Sequence, residues 1–394
     1  VNPKRTSDGY PITAYAACSA LGMTSAAVLS ELYAGRSALR PSQFAAPIAT
    51  ALGALPDALP RMPQALSAYD SRLARMAVLL VDELRSALAS ALARYGADRL
   101  AIVVASSTAG LDATERAFAH HLQHAVLPDA YSIDRTHAFH ALVDVLRALW
   151  GARGPGYVVS TACSSGNKVF GCAERLLNAG LADAVLVGGI DTLCQVTVRG
   201  FHSLGILSAE PCRPFGLDRD GTSIGEGGAL LLVERTGSGS SRLLGVGETS
   251  DAHHATQPHP DGAGAEAAMR GAIAQAGLTP DDIDHVNAHG TGTPLNDQAE
   301  ARAIEALFGM RVPVAATKGF TGHALGAAAS LEAVFAIAAL ERQALPLSIG
   351  SAPLDPDVRI AISASACALA CRHVLSNAFA FGGSNAAVVF GAAL

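Results

Sequence analysis

Tyr157-Val158-Val159-Ser160-Thr161-Ala162-Cys163-Ser164-Ser165-Gly166 decides how the rest of the chain is read. Its β-branched start predicts a strand, its small residues a turn, and Asn167 to Asn178 a helix. Cys163 is the only thiol in that turn. Backbone N–H groups at a helix start, and the helix dipole, favour the thiolate there. Lowering a thiol pKa from ~8.5 to ~7.5 raises the thiolate fraction at pH 7 from roughly 3 % to roughly 24 %. Burial in a core is the usual fate of a free cysteine, so position alone leaves nucleophile and structural thiol equally open.

With 394 residues, half of them hydrophobic and only 16 % charged, the chain has material for two packed domains or one large duplicated one. A net charge of −6 argues against bulk nucleic-acid binding. The seven cysteines (Cys18, Cys163, Cys172, Cys194, Cys212, Cys367, Cys371) are odd in number, scattered and free of CxxC pairs. That pattern does not suggest a disulfide framework or a zinc site and fits a reducing cytoplasm. No signal-peptide pattern opens the chain, and Val1 to Asp8 reads as a loose leader. The longest apolar run, Ala324 to Leu340, is interrupted by Glu332, so no membrane span is expected.

Strands are expected at Ile12–Ala17, Leu100–Ser107, Ala182–Gly189 and Ala229–Val233, and a helix at Ser25–Tyr33. The clearest helix is Arg72–Tyr95, with Leu73, Met76, Ala77, Leu80, Leu84 and Leu88 on one face and Gly96 as its stop. Ala38–Pro63 reads as surface loop. His120 and His124 share a helix face but lack a third ligand at metal spacing, so a solvated or partner-facing helix is the better reading. Thr236–Ser241 is the one linker-like stretch and divides the chain into residues 1–240 and 241–394.

The second half repeats the grammar of the first. His285–His289 runs into Gly290–Thr293 as Leu100–Ser107 runs into Gly110. Val312–Thr317 feeds a long helix, Gly322–Arg342, as Tyr157–Thr161 feeds the Cys163 helix. Gly382–Phe390 echoes Gly225–Val233. Three matched pairs in one order predict a duplicated α/β unit, packed as an α-β-α-β-α sandwich of five layers. The candidate chemistry comes from both halves: Cys163 from the first, His289 at a strand end and His323 at a predicted helix start from the second. A helix N-terminus would keep His323 neutral. Two neutral imidazoles near a thiolate can donate hydrogen bonds to a developing oxyanion or enolate.

Thr161-Ala-Cys-Ser-Ser165, His289-Gly-Thr-Gly-Thr-Pro294, Lys318 with Thr321-Gly-His323, and Asn377-Ala-Phe-Ala-Phe-Gly-Gly-Ser-Asn385 together resemble the signatures of β-ketoacyl-acyl carrier protein synthases, the elongating condensing enzymes of the thiolase fold. Pro214–Gly221 and Gly225–Gly227 extend the resemblance over nearly the whole chain. It implies a decarboxylative Claisen condensation in type II fatty acid, polyketide or polyene synthesis. Cys163 would carry the acyl group, and the backbone N–H groups of Cys163 and Phe381 would form the oxyanion hole. His289 and His323 would serve malonyl decarboxylation. Lys318 would hold the histidines, with Glu332 as its partner. Thr291 and Thr293 would bind the pantetheine arm. Phe381 would gate the acyl pocket on Gly382 and Gly383, with Phe379, Phe201 and Thr108 against the substrate. Arg72 and Arg75 would dock the acidic acyl carrier protein. The resemblance calls for no cofactor and no metal, and for a homodimer or a heterodimer with a ketosynthase-like subunit, its interface at Ala182–Gly189 and neighbours.

The chain departs from the pattern at Ala380, Thr222 and Phe320, where such enzymes usually carry Gly, an aromatic and Met, which bears on acyl specificity. Ser71–Arg75 and Ser106–Gly110 look closest to the enzymes of bacterial aryl-polyene pathways. Three other readings are a chain-length subunit, which would lack the nucleophile; a degradative thiolase, which needs a second active-site cysteine, or a starter-type synthase, which carries Asn for a His; and a scaffold, which needs no convergent polar groups. Cys367 and Cys371 read as core residues.

Overall fold

A computed structural model describes residues 8–44, 46–55 and 59–393, so the expected leader, apart from Asp8, lies outside the described residues. The first half runs β1 (Tyr10–Ser19), α1 (Ser25–Tyr33), α2 (Arg72–Tyr95), β2 (Leu100–Ala105), α3 (Leu111–His124), α4 (Phe139–Trp150), β3 (Gly156–Val159), α5 (Ser165–Asn178), β4 (Ala184–Asp191), α6 (Gln195–Ser203) and β5 (Gly227–Glu234). The second runs β6 (Ser241–Ser250), α7 (Ala263–Gln275), β7 (His285–Ala288), α8 (Pro294–Phe308), β8 (Pro313–Ala316), α9 (Ala328–Arg342), β9 (Ala361–Ile362), β10 (His373–Ala380) and β11 (Ser384–Ala392).

The duplication is visible in the strand order. From the middle of the sheet outward, the first half reads β1-β5-β4-β2-β3 and the second β6-β11-β10-β7-β8-β9. Each half has two antiparallel pairings followed by two parallel ones. The halves meet where β1 pairs with β6 over Tyr10, Pro11 and Ile12, which makes one sheet of eleven strands. The short second-half β9 extends the far edge.

Burial explains the layers. The predicted apolar face of α2 packs with Leu142 and Leu146 of α4 over Ile102, Leu186 and Leu230, on the outside of the first half. Ser71 caps that helix by accepting from the Ala74 N–H, and Gly96 ends it at φ +78°. Met269 and Ile273 of α7 and Ile304 of α8 cover the outside of the second half. Between the halves lie α5 and α9, whose Phe170, Leu331, Phe335 and Ile337 share one cluster with strands of both. Every residue of α9 from Ala328 to Leu340 is buried, as expected of a helix with protein on all sides.

Four expectations need correction. The helix expected from Gly322 begins only at Ala328; a single turn, Lys318–Thr321, precedes it, and Gly322 at φ +73° breaks the chain between them. The strand expected to carry a dimer interface, Ala182–Gly189, is interior: β4 is paired on both sides, by β2 and β5. The sheet edge on the first-half side is β3, the strand that leads into the Cys163 turn. Cys371 is buried but Cys367 is exposed. Within Ala38–Pro63, Arg40–Pro41 pairs with Ala51–Leu52, and Leu39, Ala51, Leu52 and Leu55 are buried.

Candidate active site

Cys163 sits on a sharp elbow between β3 and α5. Ala162 is held at φ +52°, a conformation costly for a residue with a Cβ. Side chains of the turn hold it: the Thr161 N–H donates to Ser165 Oγ at 2.7 Å, and the Ser165 hydroxyl donates to the Ala162 carbonyl at 2.5 Å. The second half clamps the helix that follows. Asn167 Nδ2 donates to the Ser376 carbonyl at 3.0 Å, and Ser164 Oγ lies 3.0 Å from Ser384 Oγ. Gly166 is required because a Cβ there would come within 2.8 Å of Ser330 N.

His289 leaves the end of β7. Its N–H and that of Gly290 donate to the two carboxylate oxygens of Glu300 at 2.7 and 2.8 Å. Asp297 ties the next turn of the loop, accepting from the N–H groups of Thr291 and Phe215. His323 lies in the extended segment after the Lys318–Thr321 turn. Its N–H donates to the Ser223 carbonyl at 2.7 Å and its carbonyl accepts from the Gly225 N–H at 3.0 Å. The imidazole rings of His289 and His323 meet edge to face at 5.3 Å. Cys163 Sγ and a nitrogen of each ring all lie within 4.8 Å of one another.

All three face a cavity of about 330 Å³, also lined by Thr291, Thr293, Phe201, Phe379 and Phe381. Phe201 and Phe381 pack at 5.7 Å between centroids. Gly382 and Gly383 hold φ of +78° and +71°; a Cβ on Gly383 would also come within 2.8 Å of Asp251 Cβ. Lys318 is buried beneath the histidines. Its ammonium donates to Glu332 Oε1 at 2.5 Å and to the His289 carbonyl, and lies 3.2 Å from His289 Nδ1. An ammonium has no acceptor to offer. His289 Nδ1 therefore accepts, and the ring proton sits on Nε2.

The electrostatics differ from the sequence reading. Burial pushes the Cys163 thiol up to about 12, against a smaller lowering by Lys318. Loss of hydration outweighs the dipole and N–H donors of the turn, so the resting sulfur is a thiol. His289 and His323 are held well below the usual imidazole range by burial first and by the Lys318 charge second. His323 is neutral as expected, but not because of a helix start. Both of its ring nitrogens are buried without a hydrogen-bond partner among the described residues. Leaving buried polar atoms unpaired costs roughly 1–3 kcal/mol each, and the cavity is where a partner would come from.

Two expected site residues fall elsewhere. Thr108 does not line the cavity; its N–H and hydroxyl donate to buried Asp191 at 2.8 Å. Arg72 turns inward and holds buried Glu226 at 2.6 and 2.8 Å, while Arg75 pairs with Asp70 at the surface. The His120 and His124 rings lie 4.3 Å apart, tilted 44° to each other, on α3. Sequence reasoning missed Glu300, Asn296 and the Gln257–Pro258 loop. Glu300 had a signal, a carboxylate eleven residues after His289 on a helix that starts at Pro294. Thr222, where an aromatic is usual, lines the cavity wall.

Burial also raises Glu300 to about 7, against lowering by the Gly290 and His289 N–H groups. The folded value lies above the unfolded 4.5, so this contribution to stability is complete below about pH 4.5 and is lost as pH rises through about 7. It amounts to about 3 kcal/mol. Unfolding free energy in urea is expected to fall more steeply between pH 5 and 7 in the wild type than in Glu300→Gln; parallel slopes would remove Glu300 from this role.

Residues 12–237 match the family model described as "Beta-ketoacyl synthase, N-terminal domain" and residues 240–351 that of the C-terminal domain. A chain of the complex of the ketosynthase ApeO with its chain length factor ApeC from Xenorhabdus doucetiae superposes with a TM-score of 0.93 at 35 % identity, over 98 % of both chains. A β-ketoacyl synthase from Burkholderia phymatum gives 0.88 at 28 % identity, over 98 % of this chain and 100 % of that one. The mitochondrial 3-oxoacyl-[acyl-carrier-protein] synthase of Arabidopsis thaliana is 38 % identical over 263 residues, 61 % of this chain. The chain spans 57 % of that relative's length.

Proposed function

The chain belongs to the β-ketoacyl synthase family, and from that membership we propose that it joins a Cys163-bound acyl chain to malonyl-acyl carrier protein by decarboxylative Claisen condensation. The observation that carries this reading is the convergence of Cys163, His289 and His323 within 4.8 Å on one cavity, with both His323 nitrogens unpartnered among the described residues.

The chemistry runs in two halves. Cys163 passes its proton to a neighbouring imidazole as Sγ attacks the acyl thioester carbon; the carbon–sulfur bond to the carrier breaks, and the departing thiolate takes a proton. Malonyl carrier then binds with its pantetheine arm along Thr291 and Thr293. Its carbon–carboxylate bond breaks, CO2 leaves, and the electron pair becomes an enolate whose oxygen accepts hydrogen bonds from His289 Nε2 and His323. The enolate carbon attacks the Cys163 thioester, and Sγ leaves as thiolate and is reprotonated by a proton taken up from solvent, which replaces the one given to the first carrier. Backbone N–H groups of Cys163 and Phe381 hold the tetrahedral oxyanion, and the Phe381 gate moves on Gly382 and Gly383. Incubation with acyl carrier protein followed by intact mass tests the first half: one acyl group on Cys163 is expected, and an unmodified protein would defeat the proposal.

A second reading has support from the ApeO–ApeC neighbour: the chain works beside a ketosynthase-like partner, through the β3 edge, as its catalytic member. The residue set favours the catalytic seat over the chain-length one, since Cys163, both histidines and Lys318 are present. A degradative thiolase fits less well because neither Cys367 nor Cys371 lines the cavity. Seven unpaired cysteines suit a reducing compartment, and among the described residues no helix is long and apolar enough to cross a membrane. The polyene-pathway assignment rests on Ser71–Arg75 and Ser106–Gly110.

Carrier docking falls to Arg75, which is 39 % exposed, rather than to Arg72. Arg75→Glu is expected to raise KM for acyl carrier roughly fivefold to tenfold while sparing transfer from a small thioester. Equal loss with both substrates would assign Arg75 a structural role. Arg72→Glu is no test of docking, because it sets a second carboxylate against buried Glu226.

A further inference from the structure

A thiol and two imidazoles converging on a cavity are also the donor set of a zinc site with one open position. The separations, all within 4.8 Å, are a small side-chain rotation from the roughly 3.5 Å between ligands around a tetrahedral zinc. His323 offers a buried nitrogen that has no hydrogen-bond partner among the described residues. A soft divalent cation in this place would take Cys163 as thiolate and end acyl transfer. We propose that the site is a latent binding site for a soft divalent cation of the zinc class, and that Lys318 is the residue that keeps it empty.

Two features of Lys318 work in that direction. Its ammonium adds a positive charge directly beneath the ligand set, 3.2 Å from His289 Nδ1. It also fixes the tautomer of His289: with Nδ1 accepting, the nitrogen that faces the cavity is an N–H and has no lone pair for a metal. To bind a cation through Nε2, His289 would have to carry its proton on Nδ1, pointing it at the ammonium. Glu332 and the His289 carbonyl hold Lys318 against leaving. The arrangement that makes His289 a hydrogen-bond donor is thus the one that denies it to a metal. This inference rests on the geometry of the four side chains and does not depend on which acyl chain the enzyme extends.

The test is cobalt binding, read by the thiolate-to-cobalt charge-transfer band, with zinc competition. Lys318→Met is expected to bind one equivalent of Co2+ roughly hundredfold more tightly than the wild type, and adding Cys163→Ala is expected to abolish the band. Should Lys318→Met not fold, Lys318→Met with Glu332→Leu removes the stranded carboxylate and serves in its place. Equal affinity in wild type and variant, no binding by the folded variant, or a band that survives loss of Cys163 would each overturn the proposal. Because the readout is a spectrum, failure here leaves the condensation reading standing, and a variant inactive for other reasons does not mimic success.

Discussion

Cys163→Ala is expected to carry no acyl group and yet to go on releasing CO2 from malonyl carrier. The substitution removes the sulfur and leaves the His289–His323 pair, Lys318 and the backbone donors of the turn in place. His323→Ala is expected to do the reverse. Its thiol still accepts the acyl chain, though slowly because the ring that takes the thiol proton is gone, while decarboxylation falls by roughly a hundredfold to a thousandfold, the usual loss of one preorganised donor to a developing oxyanion, ~3–4 kcal/mol. His289→Ala should resemble it, and the double variant should fall less than additively because both rings serve one oxygen. Acyl-adduct mass and labelled CO2 release on the same proteins decide the matter. A folded Cys163→Ala that does neither reaction, or a His323→Ala that decarboxylates normally, would show the roles to be wrongly divided.

The second large effect is on stability. Glu332 lies in the middle of α9, in the layer between the two halves, and is almost wholly buried with Lys318. Burial raises its carboxyl to about 7 despite the ammonium beside it. Glu332→Ala leaves that ammonium buried without its carboxylate, and is expected to cost about 3–5 kcal/mol of unfolding free energy. Replacing both charges, Lys318→Met with Glu332→Leu, should recover most of that loss, since a buried ion pair and a well-packed apolar pair are often close in stability. Condensation should not recover, because nothing then orients His289. Urea midpoints and turnover measured on the three proteins separate the outcomes: if the double variant is as unstable as the single, the pair is structural before it is functional.

Much of this was legible from the residues. Helix α2 announced itself by a one-sided apolar face between Ser71 and Gly96, local signals that do not need the rest of the chain. The duplication was legible because strand-turn-helix grammar repeats within each half. What escaped depends on contacts far apart in sequence. The apolar run before Leu340 reads as one helix, yet His323 is drawn into an extended bridge with Ile224, a partner 99 residues away, and the helix has to wait until Ala328. The sulfur of Cys163 looked activated by a helix start, but burial dominates, and burial is a property of the assembled fold. Arg72 and Arg75 looked like one basic face; only the structure reveals that Glu226, from the end of the first half, claims the former.

The pairing of β1 carries a consequence for how the protein is made. Its two neighbours in the sheet begin at Gly227 and Ser241, so β1 leaves the ribosome some 208 residues or more before either partner does. At ~5–20 residues per second, its hydrogen-bonding edges stand open for roughly ten to forty seconds of synthesis. The Cys163 elbow waits about as long, because the carbonyls that grip Asn167 belong to Ser376 of β10 and Ala386 of β11. A growing chain therefore carries Cys163 without the contacts that set its elbow, and gains them only when β10 and β11 arrive.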